Sequence, residues 1–227
     1  TDGSGVKAEC KVTVQKKAVS HGFVDLGLPG GVLWATCNVG AEKPEDYGLY
    51  FAWGEIVGYA KDESHSFDWA HYDLCNGDEF NLTKYSTSTG YWDPTLGTSP
   101  DNKTVLDPED DAATANWGSG WRMPTMQEMK DLYDSRYTTT EWVTVNGVSG
   151  RKVTSNSNGN SIFLPAAGYR DSNLFNEGSY GQYWSRDIYS GNGAQAYGLR
   201  LTKNFMLWGN FYCYQGCNVR AVRVPSE

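Results

Sequence analysis

A chain of 227 residues with a formal net charge of −8, 39% hydrophobic and 14% aromatic, can bury one substantial core and leaves room for a small appendage. The acidic balance excludes a nucleic-acid backbone as the expected partner, because neutralising phosphates takes clustered Lys and Arg that this chain lacks. No apolar run approaches the ~18 residues needed to cross a bilayer, so no transmembrane segment is expected. The five cysteines, Cys10, Cys37, Cys75, Cys213 and Cys217, are an odd number and do not describe a disulfide-stapled scaffold.

Thr1 to Gln15 opens with the turn Asp2-Gly3-Ser4-Gly5. It then places Val6, Ala8, Cys10, Val12 and Val14 on one face, with Lys7, Glu9, Lys11 and Thr13 on the other. That alternation predicts one half-buried strand. Residues 16–22 read as a linker and 23–227 as the main domain. Phe23 to Ala35 predicts two short strands around Pro29-Gly30-Gly31. Tyr47 to Gly54 is aromatic and strand-like. Glu55 to Thr104 is polar and aperiodic, and a structureless loop of that length is unexpected in a compact domain. Trp69, Tyr72, Tyr85, Tyr91 and Trp92 are expected to tack it to the body.

Two helices carry start signals. Asp107 is placed to cap, Pro108 suits the first helical position, and Glu109, Asp110 and Asp111 favour the positive end of the dipole; this helix is expected to end near Asn116 to Gly118. Thr125-Met126-Gln127-Glu128 reads as a capping box. Met126, Met129, Leu132 and Tyr133 supply the buried stripe of a helix expected to stop near Arg136. Further on, Asn146-Gly147 signals a hairpin and Ser161 to Pro165 a strand. In the C-terminal block Tyr197, Leu199 and Leu201 share one face, with Gly198 and Arg200 on the other. Few helices and many short strands predict an α+β domain with long loops.

Several segments together resemble a C-type-lectin-like domain of the formylglycine-generating-enzyme type, in the Bacteroidetes branch known as the Fibrobacter succinogenes major paralogous domain. They are Val24 to Pro29 with Leu33 to Ala41, Tyr50 to Glu55, Asp107 to Ala113, Trp117 to Thr125, Leu164 to Gly168, Tyr183-Trp184-Ser185 and Gly216 to Arg220. The first fifteen residues resemble the final strand of a group 2 bacterial immunoglobulin-like domain. The resemblance implies an α+β, C-type-lectin-like fold with two helices, in an exported, surface-displayed, monomeric binding module. It also implies a C-terminal ligand face. Some relatives are variable proteins of diversity-generating retroelements, mutated at adenines in Asn-type codons, and Asp187 to Cys217 occupies the matching position. Met206, Trp208 and Gln215 are not reachable by that route, so a diversified and a fixed relative both stay open.

The residue mixture of Gly181 to Val224 is independent of that resemblance. Stiff aromatics interleaved with Gly, Asn and Ser combine large contact area with adaptable hydrogen bonding. A Tyr-rich sheet whose aromatics fill a core is the competing reading. The ligand contacts expected here are Asp187, Tyr189, Arg200, Phe205, Leu207, Trp208, Asn210, Tyr212 and Gln215, with aromatics as anchors, Arg200 and Asp187 reading charge, and Asn210 and Gln215 adjusting polar contacts. The ligand is expected to be a protein or glycan on another surface. Trp117, Trp121 and Trp184 are read as structural, and Arg122, Arg220 and Arg223 as partners of buried carboxylates.

Catalysis is the weaker expectation. The resemblance draws attention to Cys213 and Cys217, whose thiolates could bind Cu(I) in an oxidase. Residues four apart in a straight strand are ~13 Å apart, so pairing needs a turn at Gly216. A structural fibre component is the other alternative. His21, His65 and His71 lack metal-ligand spacing, Asp107 to Asp111 is explained by helix capping, and no catalytic site, metal or cofactor is expected.

Overall fold

The computed structural model describes residues 21–224. The expected strand at 1–15, Cys10 and most of the 16–22 linker lie outside the described residues. Strands β1 (Phe23–Asp25) and β2 (Leu33–Ala35) pair antiparallel around the expected turn, where Gly30 and Gly31 adopt φ of 88° and 68°. The aromatic run beyond it contributes only β3 (Tyr50–Phe51). Residues 55–104 hold three single-turn 3-10 helices, pinned by the buried side chains of Phe67, Tyr72, Leu82, Tyr85 and Trp92.

Helix α1 (Ala112–Trp117) starts later than expected. Pro108–Asp110 forms its own 3-10 turn, and Asp111, not Asp107, is the cap: its Oδ1 accepts from the N–H groups of Ala113 and Thr114, each at 3.0 Å. The same carboxylate accepts from the Met123 N–H, which fixes β4 (Trp121–Arg122) against the helix. In α2 (Met126–Asp131) the Thr125–Glu128 capping box forms in both directions. Arg122 grips the same Glu128 at 2.6 Å. The helix ends at Asp131, well before Arg136, and turns lead from it to a strand rich in β-branched residues that begins at Thr138.

The remaining elements are strands: β5 (Thr138–Val145), β6 (Val148–Ser155), β7 (Ser161–Pro165), β8 (Tyr169–Arg170), β9 (Leu174–Phe175), β10 (Tyr180–Ile188), β11 (Gln195–Thr202), β12 (Met206–Tyr212), β13 (Cys217–Asn218) and β14 (Val222–Arg223). The β5–β6 hairpin turns at Asn146 and Gly147, both at positive φ, as the dipeptide signals. Four sheets result, ordered β1-β2-β14-β4, β12-β11-β10-β13-β3, β5-β6-β7 and β8-β9. With 34% strand, 12% helix and two six-residue α-helices among the described residues, the domain is mainly β. The expected α+β class and C-type-lectin-like fold are corrected accordingly: the start at Thr125 forms as expected, the start at Asp107 moves to Asp111, and neither helix extends beyond six residues.

The five-stranded sheet separates two buried clusters. Along β10 successive side chains alternate between them. Tyr183 joins Leu199, Leu201, Met206, Trp34 and Leu164, while Trp184 joins Ala196, Phe211, Phe51 and Trp53. Each fully buried side chain of this size contributes about 1.5–3 kcal/mol. Buried aromatic polar atoms end on backbone carbonyls. Trp53 Nε1 donates to Ser185 at 2.8 Å, Trp184 Nε1 to Phe51 at 2.7 Å and the Tyr183 hydroxyl to Pro165 at 2.6 Å. Arg220, 1% exposed, binds the carbonyls of Ala35 and Phe163 and the Asn38 side chain. The expectation of a carboxylate partner for it is corrected, since carbonyl dipoles satisfy the buried guanidinium. Arg223 lies over the Phe23 ring, its guanidinium carbon 5.4 Å from the centroid.

Glu55 is half-buried, and its Oε1 accepts from the Asp73 N–H at 2.9 Å. Burial pushes its carboxyl from 4.5 up to about 7, against the pull of that hydrogen bond. The folded carboxyl therefore holds its proton more tightly than the unfolded one, so stability falls as pH rises from about 4.5 to about 7 and levels off beyond. Glu55→Gln is expected to remove this part of the slope and to raise stability above pH 7 by up to about 3 kcal/mol, read from urea midpoints across pH 4–8. An unaltered profile would contradict the assignment.

Candidate ligand-binding site

The site grows from the β11–β12 hairpin at the edge of the five-stranded sheet. Thr202 Oγ1 accepts from the N–H groups of Asn204 and Phe205 and shapes the hairpin turn. Arg151 of β6 fixes it from below, donating through Nε to the Thr202 carbonyl and through a terminal nitrogen to that of Lys203, each at 2.9 Å. Glycine is required at Gly198, because an added Cβ would meet the Phe211 ring at 2.6 Å. Phe211 packs into the core against the tilted Trp184 ring, centroids 5.6 Å apart, and β11 and β12 keep a strict antiparallel register from Gln195 opposite Tyr212 to Leu201 opposite Met206.

Leu199 and Leu201 turn inward while Arg200 is exposed, as the alternation predicts. The aromatics divide. Tyr183, Trp184 and Phe211 belong to the core, whereas Phe205 (38% exposed), Trp208 (41%) and Tyr212 (38%) face solvent. Trp208 packs edge-on against Tyr197 at 5.8 Å between ring centroids, and Tyr197 against Tyr189 at 5.2 Å, which makes a three-ring ridge. Lys130 from α2 sits 5.8 Å from the Trp208 centroid, and the Tyr133 hydroxyl accepts from the Trp208 N–H at 3.3 Å. That contact occupies one of the edge groups that an added strand would need.

A second feature adjoins the ridge. An open concavity of about 460 Å³ is lined by Arg200, Asn210, Tyr212 and Gln215, together with Gln182, Gln195, Tyr169, Asn176, Tyr180 and Phe211. Asn210 Nδ2 donates to Gln195 Oε1 at 2.5 Å. Tyr212 stacks on Tyr214 with centroids 5.7 Å apart and meets Trp69 edge-on. Burial pushes the Tyr180 phenol up to about 12, against the pull of the neighbouring Arg200.

Four of the nine nominated residues thus meet in the concavity, and Tyr189 and Trp208 meet on the ridge. Phe205 stands at the hairpin turn and Leu207, half-buried, opposite Arg200. Asp187 belongs to neither patch: its Oδ2 accepts from the Met126 N–H at 2.6 Å and secures the first turn of α2. Burial nevertheless raises its carboxyl above the usual range. Gln182, Gln195 and Tyr180 were not nominated. The signal for Gln182 was a lone amide between Gly181 and Tyr183 in an otherwise packed strand.

Elsewhere the chemistry is quiet. Lys84 pairs with Asp107 and Asp110, so these helix-start acids are compensated by an amine. His21 stacks on Trp117 and His65 on Tyr59. Among the described residues no group of three or more His, Cys, Asp or Glu side chains is placed to hold a metal. No helix among them is long and apolar enough to cross a membrane. Cys213 and Cys217 are both buried free thiols, and burial pushes both thiols up. Thiolate chemistry requires the opposite environment, accessible and electropositive.

No family model matches the chain, and neither a curated protein nor a solved structure matches it. Cys213 and Cys217 are expected to remain unmodified when the native protein is treated with a thiol-specific alkylating reagent and to react fully in denaturant, as read by peptide mass spectrometry. Rapid native labelling of either would contradict the packing described.

Proposed function

We propose that this chain is a ligand-binding module whose contact surface is the β11–β12 hairpin, with Trp208 and Tyr212 as aromatic anchors. The observation that carries the reading is the division of the C-terminal rings: one set builds the core that holds the hairpin, and another stands exposed beside a polar concavity. Ordered surface aromatics next to hydrogen-bonding amides concentrate binding energy with little loss of side-chain entropy. The order of segments that resembles exported binding modules supports display at a cell surface, with a protein or glycan as partner and the chain acting as a monomer. The oxidase alternative finds no support in the buried thiols, and a purely structural role leaves the exposed rings without a purpose.

Trp208→Ala and Tyr212→Ala, each with an unchanged far-ultraviolet spectrum and melting temperature, are expected to weaken binding by at least about tenfold for ligands recovered from glycan arrays and displayed-peptide libraries. Unchanged affinity of both variants for every ligand recovered would sink the reading.

A further inference from the structure

We propose that the polar concavity binds a carboxylated saccharide, Arg200 taking the carboxylate and the surrounding amides the hydroxyl groups. This rests on the ligand-binding reading above and gives the ligand its chemistry.

The lining itself selects the class. Gln182, Gln195, Asn210 and Gln215 supply amides, Tyr180 and Tyr212 supply rings and hydroxyls, and among the described residues no carboxylate lines the concavity. Side-chain amides both donate and accept, which suits hydroxyl groups that do the same. Tyrosine rings offer apolar faces to the C–H side of a sugar ring. An apolar peptide side chain placed here would strand those amides without partners.

Gln182 adds to the polar wall. It is 3% exposed and lines the concavity, and its amide makes no hydrogen bond to another described residue. The amide keeps contact with solvent there rather than being sealed off without a partner. A ligand hydroxyl takes the place of that solvent, since the amide both donates and accepts.

Arg200 sits directly across the ladder from Gln182. Among the described residues it joins no salt bridge, although the chain carries a net charge of −8. Gly209 leaves room for it, since an added Cβ there would come within 3.2 Å of the Arg200 Nε. An exposed planar guanidinium with no carboxylate of its own fits an incoming carboxylate in bidentate geometry. The net charge of −8 on the chain disfavours a polyanion, so a single acidic sugar is the better fit. With no carboxylate among the described residues lining the concavity, recognition does not need a bridging cation.

The test measures the 227-residue protein against immobilised oligosaccharides ending in glucuronic acid or sialic acid, each beside its carboxyl methyl ester, with and without EDTA. The expected result is binding to at least one acidic terminus that survives EDTA and weakens about 10- to 100-fold on esterification. Arg200→Gln should weaken it equally, Arg200→Lys less, and Gln182→Leu should weaken the acid and its ester alike. Equal affinity for acid and ester, loss in EDTA, indifference to Arg200→Gln in a folded variant, or no binding to either panel overturns the proposal. If a peptide or protein ligand still depends on Trp208 and Tyr212, only the saccharide assignment falls; if nothing does, the ligand-binding reading falls with it.

Discussion

Two indoles hold this domain together by reaching across 132 and 133 positions of sequence to each other's strands: Trp53 donates to the Ser185 carbonyl, and Trp184 donates to the Phe51 carbonyl. Both rings are completely buried, so each N–H had to find an acceptor inside the protein or cost its full desolvation. The reciprocal arrangement meets both needs at once. It also ties β10 to the segment containing β3 at a defined register, with β13 hydrogen-bonded between them. The Tyr50 hydroxyl, donating to Ala167, and the Tyr72 hydroxyl, donating to the Trp53 carbonyl, extend the same principle outward.

Once β10 is fixed, the hairpin beside it has little freedom. Leu199 and Leu201 enter one cluster and Phe211 the other, so the sheet is gripped from both sides. Arg151 holds the turn and Asp187 holds α2, which in turn brings Lys130 and Tyr133 to Trp208. What remains outside is therefore presented on a stiff support. Such preorganisation limits the entropy lost on binding, the main reason surface rings on a rigid sheet make effective contacts.

Local features were the legible part of the sequence. Asn146-Gly147 and the Thr125 capping box depend on neighbours two or three residues away, and both form as read. The Leu199, Arg200, Leu201 alternation also held, because side-chain direction in a strand follows from sequence parity alone. Helix extent was less legible, since caps specify a start and not a length; a choice among four adjacent acids fell on Asp107 when Asp111 makes the bonds. Least accessible was the membership of the concavity. Tyr169 and Gln182 come to it through pairing between distant strands, and nothing in their local sequence encodes that pairing. The same long-range pairing decided that Trp184 and Phe211 pack inward while Trp208 and Tyr212 face out.

The central claim, a carbonyl-locked tryptophan core carrying an edge whose own tryptophan is open to water, is tested most directly by hydrogen exchange at the indole N–H groups, followed by NMR with residue-specific assignment. The account predicts slow exchange at Trp53 and Trp184, close to the limit set by global unfolding, and rapid exchange at Trp208. Fast exchange at either core indole, or protection at Trp208 comparable to theirs, would contradict it.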